Sequence, residues 1–179
     1  SRLVRGLSRE LCEALGAIGW SSAATVFFAY HRRDIARELN ATGFVVPKRE
    51  GMRILASTWV SSKWPGRAPD DKVLLRAFVG GAGHEDMMSW PDDELIALAR
   101  TDVERLLHFR AEPLFTKVFR FVATSPQPST GHAERVARVR DALRSLPGIH
   151  AIGSAYEGVG IPDVVRLAKK TGAALRLRA

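Results

Sequence analysis

Apolar positions change their period several times along the chain. Leu11, Ala14, Leu15 and Ile18 recur at helical spacing behind Ser8, a residue suited to cap a helix start, and Gly16 and Gly19 frame the end. Ala24–Tyr30 is apolar, β-branched and aromatic, which predicts a strand. Gly43–Pro47 and Met52–Val60 predict two more, joined through Lys48-Arg-Glu-Gly51 as a hairpin turn. Pro65-Gly66 and Pro69-Asp-Asp71 break the chain, and Val73–Val79 forms the next strand, ended by Gly80-Gly81. Four strands joined by turns, with no long helix between them, predict a mostly antiparallel sheet.

The pattern then turns helical. Ser89 stands three residues before Asp92, the spacing of a capping box, and Pro91 suits an early turn. Leu95, Leu98, Leu106 and Leu107 mark an apolar face running to His108, interrupted by Asp102. Phe115–Phe121 predicts a strand and Thr124–Gly131 a proline-rich loop. A helix follows over His132–Ser145, with Val136, Val139 and Leu143 inward and Arg135, Arg138, Arg140 and Arg144 outward or at its borders. Gly148–Ile152 is a short apolar run, and Asp163–Lys170 reads as a last helix.

These elements predict an α+β chain with a sheet-rich part, residues 1–115, and a second part, residues 116–179, ending in strand, turn and helix. One strand and two helices bury little alone, so the second part needs a larger sheet to dock against. The 179 residues are 46% hydrophobic and 26% charged, a globular composition. Net charge is +8, but the arginines are scattered, which favours a generally basic surface over a dedicated nucleic-acid site. Cys12 is the single cysteine, so an internal disulfide and a cysteine metal cluster are excluded, and its place predicts a small core residue. Ser1–Arg5 leads into the periodic pattern without the apolar core of a cleavable signal, and no apolar run spans a bilayer.

Candidate chemistry concentrates in Gly153-Ser-Ala-Tyr-Glu-Gly-Val-Gly-Ile-Pro-Asp163. A glycine-rich turn ahead of a helix start lets backbone approach a ligand, and the helix start presents N–H groups and partial positive charge. The same stretch also serves as a tight connection between core elements. Glu157 or Asp163 could act as a base, although Asp163 fits a first-turn residue better. The five histidines form no metal-binding spacing, and Gly83-His-Glu-Asp86 reads first as a polar loop. No Walker A sequence, nucleophile elbow or Gly-x-Gly-x-x-Gly is present. Chemistry without a protein nucleophile or metal points to a cofactor that carries the reaction.

Three segments resemble the oxygen-dependent, FAD-containing protoporphyrinogen IX oxidases. They are Gly43-Phe-Val-Val-Pro47 with Ile54–Pro65 ahead of Gly80-Gly81; Pro126-Gln127 with Gly131-His-Ala-Glu-Arg-Val136; and Leu146-Pro-Gly148 with Gly153–Asp163. The resemblance covers essentially the whole chain and implies an amine-oxidase-like fold. Residues 1–115 would then be a partial substrate domain, and residues 116–179 the C-terminal segment of the FAD-binding domain. It implies FAD contact by Gly153, Ser154, Gly158, Val159, Gly160, Ile161 and Pro162, with no catalytic side chain assigned. It also implies a porphyrinogen substrate, a separate N-terminal FAD-binding segment or subunit as partner, and a cytoplasmic location with peripheral attachment to the cytoplasmic membrane left open.

Departures from the family pattern accompany the likeness. The pyrophosphate-holding glycine motif and the membrane-binding helical region are absent, Pro128 stands where an aromatic is usual, and Leu167-Ala168 replaces a small Ser-Gly step. The expected function is therefore part of an oxidase, inactive as this chain alone. A different FAD-dependent amine-oxidase or desaturase-like enzyme, and a non-enzymatic basic binding protein, are the alternatives.

Overall fold

A computed structural model describes residues 2–176 and the side chains of residues 3–175. Ser1 and residues 177–179, the extremes of the two expected parts, lie outside the described residues. The elements are α1 (Arg9–Gly16), β1 (Gly19–His31), β2 (Gly43–Val45), β3 (Ile54–Trp59), α2 (Val60–Lys63), β4 (Lys72–Gly80), α3 (Asp92–Leu107), β5 (Phe115–Gln127), α4 (His132–Arg144) and α5 (Ile161–Arg176).

The five strands form one sheet in the order β2-β3-β4-β1-β5, and the pairs β2/β3, β3/β4 and β4/β1 are antiparallel. The α+β class and antiparallel sheet expected from the sequence are present. Strand alternation sorts the side chains onto two faces. Ala24, Val26, Phe28 and Tyr30 of β1 and Val73, Leu75, Ala77 and Val79 of β4 share one core with Leu95, Ala99, Val103 and Leu107 of α3. The α3 set recurs every four residues, one face of a helix laid on the sheet. Burying each large apolar side chain contributes about 1.5–3 kcal/mol, so this layer carries most of the local stability.

Asp102 explains the break in the apolar face of α3. Its Oδ2 accepts the backbone N–H groups of Arg53 at 2.7 Å and Ile54 at 3.0 Å, satisfying donors where β3 begins. Ser8 caps α1 as expected, accepting the N–H of Leu11 at 3.1 Å. Ser89 does not cap α3: the N-cap position is Pro91, and the Ser89 hydroxyl donates instead to Asp86 O at 2.7 Å. The serine lies too early to reach that helix, whose start is favoured by Asp92, Asp93 and Glu94 in its first turn. β5 runs past Phe121 to Gln127 and takes in Pro126, leaving only 128–131 of the expected loop. It lies at the sheet edge, where a residue without an N–H removes no ladder bond.

The chain divides into two compact units, Ser21–Thr124 and Ser1–Trp20 with Ser125–Ala179. Their bounds differ from 1–115 and 116–179 in that α1 packs with α4 and is grouped with the C-terminal elements. In that second unit Leu11, Ala14 and Ile18 meet Val139 and Ala142 of α4 and Ala155 in a separate core. Cys12 is half-buried rather than in this core, one position off the stripe of Leu11, Ala14, Leu15 and Ile18. The strand expected over 148–152 does not form. An extended segment needs a neighbour for its backbone groups, and this one joins no sheet among the described residues.

Candidate functional site

The Gly153–Asp163 segment has a fixed foot and an exposed tip. At the foot, Gly153 adopts φ +139 and its carbonyl accepts the Tyr156 N–H at 3.1 Å. Ala155 is buried in the core with α1 and α4, and Tyr156 packs against the same core. Burial raises the Tyr156 hydroxyl above its ordinary pKa, so the ring is held as the neutral phenol. Ser154 lies half-buried within this foot.

Beyond the foot the chain rises into solvent. Val159 is 75% exposed and Ile161 80% exposed, and Gly158, Gly160 and Pro162 are exposed beside them. α5 starts directly at Ile161, with Pro162 in its first turn, where a missing N–H costs no helical bond. The Val164 N–H reaches Gly160 O at 3.1 Å and closes the first turn. The sequence thus brings Val159, Gly160, Ile161 and Pro162 together on one exposed tip, while Gly153 and Ser154 stay at its base.

The two central glycines differ. Gly158 has φ +73, and a Cβ there would overlap Asp163 Cβ and stand 3.0 Å from Asp163 Cγ. Both conformation and space require glycine. Gly160 has no positive φ, and a Cβ there would stand 3.3 Å from Asp163 Oδ2 and 3.6 Å from Pro162 Cδ. Positive φ therefore explains Gly158 and not Gly160.

Neither acidic residue is poised as an isolated base. The Asp163 carboxylate pairs with Arg166 one turn along α5, and Glu157 Oε2 accepts from Arg140 Nη2 at 3.3 Å. The Arg140–Glu157 pair ties α4 to the loop beside a 330 Å³ cleft lined by Val139, Tyr156, Leu167 and Thr171. α5 buries none of its described side chains: Val165 is exposed, and Val164 and Leu167 are only half-buried. Gly83-His-Glu-Asp86 closes on itself, with Glu85 accepting the Gly83 N–H at 2.9 Å.

Sequence reasoning missed a second feature, on the sheet face opposite α3. There Arg76 of β4 lies among Phe27, Trp64 and Phe78. The alternation Leu74, Arg76, Phe78 against the buried Val73, Leu75, Ala77 carried the signal.

The segment combines an exposed backbone tip, a glycine required by both conformation and space, and the start of a helix. No cradle for a pyrophosphate accompanies them among the described residues. The chain is 37% identical over 146 residues to a coproporphyrinogen III oxidase of Bacillus subtilis, covering 81% of this chain and 31% of that protein. It is 38% identical over 166 residues to a coproporphyrinogen III oxidase of Propionibacterium freudenreichii, covering 92% and 31%. It superimposes with a TM-score of 0.84 and 34% identity on a crystal structure from Exiguobacterium sp. 255-15 bearing the name protoporphyrinogen oxidase, covering 99% of this chain and 39% of that one. The chain spans about a third of the length of the curated relatives it matches. The model of the flavin containing amine oxidoreductases matches residues 2–175, so the chain belongs to that family, and FAD is the cofactor that this membership implies.

Proposed function

We propose that this chain is the C-terminal part of an FAD-dependent oxidase that converts a porphyrinogen to the corresponding porphyrin with molecular oxygen. The observation that carries the proposal is the exposed Val159-Gly160-Ile161 tip, held on a fixed foot at the motif that resembles the family's flavin contact. The names of the relatives at 37% and 38% identity supply the substrate class. The Ser21–Thr124 unit then belongs to the substrate domain, and the unit containing α4 and α5 belongs to the flavin domain.

In this reading Val159, Gly160, Ile161 and Pro162 lie along one edge of FAD, with Gly153 and Ser154 fixing the base of the turn. Gly158 lets the chain reverse without displacing Asp163. When bound, FAD supplies a hydride acceptor that oxygen regenerates. The residues of this chain orient the cofactor and exclude water from one side of it, and the N-terminal segment that this reading requires holds the pyrophosphate. The unburied face of α5 supports such a partner segment, since an amphipathic helix gains most of its stability from packing. The net charge of +8 is compatible with peripheral attachment to an anionic membrane surface.

The test is reconstitution. The isolated chain purifies without yellow colour, because it offers one edge of the flavin and not the pyrophosphate site. Supplied with an N-terminal flavin-binding segment, it yields a yellow complex that produces fluorescent porphyrin from porphyrinogen in air. A complex that binds FAD and oxidises no porphyrinogen overturns the substrate assignment, and stoichiometric FAD on the isolated chain overturns the partition.

A further inference from the structure

Arg76 sits at the middle of a central strand, on the face that α3 does not cover. Its neighbours across the sheet are Thr58 of β3 and Phe27 of β1. The guanidinium carbon lies 4.7 Å from the ring centre of Phe78, 5.8 Å from that of Phe27 and 6.0 Å from that of Trp64. Phe119 of β5 meets Phe27 edge-on at 5.8 Å and stays 48% exposed, so the aromatic surface continues towards the sheet edge. Trp64 is likewise 40% exposed.

Two other half-buried arginines of the same unit have carboxylate partners: Arg100 pairs with Glu104 and Glu112, and Arg120 with Asp92. Arg76 pairs with no carboxylate among the described residues, and its Nε is buried without a hydrogen-bond partner. Burial lowers the pKa of this guanidinium below its ordinary value, and no acidic neighbour counters the shift. A half-buried cation lying on rings gains from an anion that reaches its guanidinium. Aromatic faces offset only part of the cost of burial.

We infer that Arg76 receives a carboxylate of a flat, apolar ring system laid against Phe27, Phe78 and Phe119, and so selects tetrapyrroles by their acid side chains. This rests on the proposed porphyrinogen substrate, a macrocycle whose apolar body suits the rings and whose propionates suit the arginine. An acidic segment of polypeptide is the competing occupant. It would meet the charge but leave the exposed aromatic surface without a matching plane.

The experiment titrates the chain with coproporphyrin III and with its tetramethyl ester, reading porphyrin fluorescence. The wild type binds the acid at least threefold more tightly than the ester. Arg76→Gln weakens binding of the acid about ten- to a hundredfold, the range of a charge-assisted hydrogen bond, and leaves ester binding unchanged. Arg76→Lys falls between them. Equal affinity of the wild type for acid and ester overturns the inference without any variant, so a misfolded substitution cannot shelter it. Equal affinity of the wild type and Arg76→Gln for the acid also overturns it, while porphyrin binding itself keeps the proposed function standing. If the wild type binds neither compound, the inference fails. If the reconstituted flavoenzyme still oxidises porphyrinogen regardless of residue 76, the function survives and the arginine belongs to an acidic segment of polypeptide.

Discussion

Asp163 stands so close to Gly158 that the loop and the first turn of α5 form one steric unit. A single added carbon at 158 would overlap the Asp163 side chain, and φ +73 would be strained for any residue that carries one. The direction in which the exposed tip leaves its foot is set by this pair.

Gly158→Ala is therefore expected to destabilise the loop by about 1–3 kcal/mol through its backbone conformation alone, and to weaken FAD binding in the reconstituted enzyme. Thermal melts and flavin titration measure the two effects. A variant with unchanged melting and unchanged affinity would show that the turn relaxes freely.

Gly160→Val separates cofactor contact from folding. This position has no positive φ and is exposed, and a Cβ there would meet Asp163 Oδ2 at 3.3 Å and Pro162 Cδ at 3.6 Å, so stability should fall by about 1 kcal/mol or less as the carboxylate shifts aside. Flavin affinity or the reductive half-reaction should nevertheless fall, by roughly 100-fold if the ring moves about 1 Å. Wild-type affinity and turnover would remove Gly160 from the site.

Asp102→Ala leaves the N–H groups of Arg53 and Ile54 without their acceptor at the start of β3. The expected loss is about 1–3 kcal/mol, read from urea denaturation. Asp102→Asn keeps one acceptor oxygen and should recover part of it.

Tyr30→Phe goes the other way. The Tyr30 hydroxyl is buried with no hydrogen-bond partner among the described residues, and desolvation, helped by nearby Glu104, pushes its pKa above the ordinary value. Removing an unsatisfied buried hydroxyl should be neutral or stabilise by about 1 kcal/mol. A clear loss of stability would reveal a partner for that hydroxyl.

Glu112 gives a pH dependence. Its carboxylate takes two bonds from Arg100, at 2.7 and 2.8 Å, and these hold its pKa below the usual carboxylate range. A lowered folded pKa contributes stability that is present above the unfolded value and is lost as pH falls through the folded one. The stability difference between wild type and Glu112→Gln should therefore be full at neutral pH and vanish in acid. It should also shrink with added salt, because the carboxylate is exposed.

The sheet, α1, α3 and α4 were legible because each has a period that burial enforces. Ser8 was legible as a cap because its partner lies three residues on. Ser89 misled because the local pattern was right but the helix began later, behind Pro91. The strand over 148–152 misled because an apolar run specifies readiness to pair and not the presence of a neighbour. At the candidate site the exposed tip was legible from its glycines. The reason for Gly158 was not, because it depends on the neighbouring Asp163 side chain. Arg76 escaped notice because partners on three different segments surround it, and no linear spacing records them.

The packing of α1 against α4 has a consequence for synthesis. A ribosome that has made α1 must still make the whole Ser21–Thr124 unit before α4 emerges. At about 5–20 residues per second, that interval is on the order of 5–20 s. Through it Leu11, Ala14 and Ile18 wait without their partners, so α1 completes its core only after the whole unit that follows it in the chain has been made.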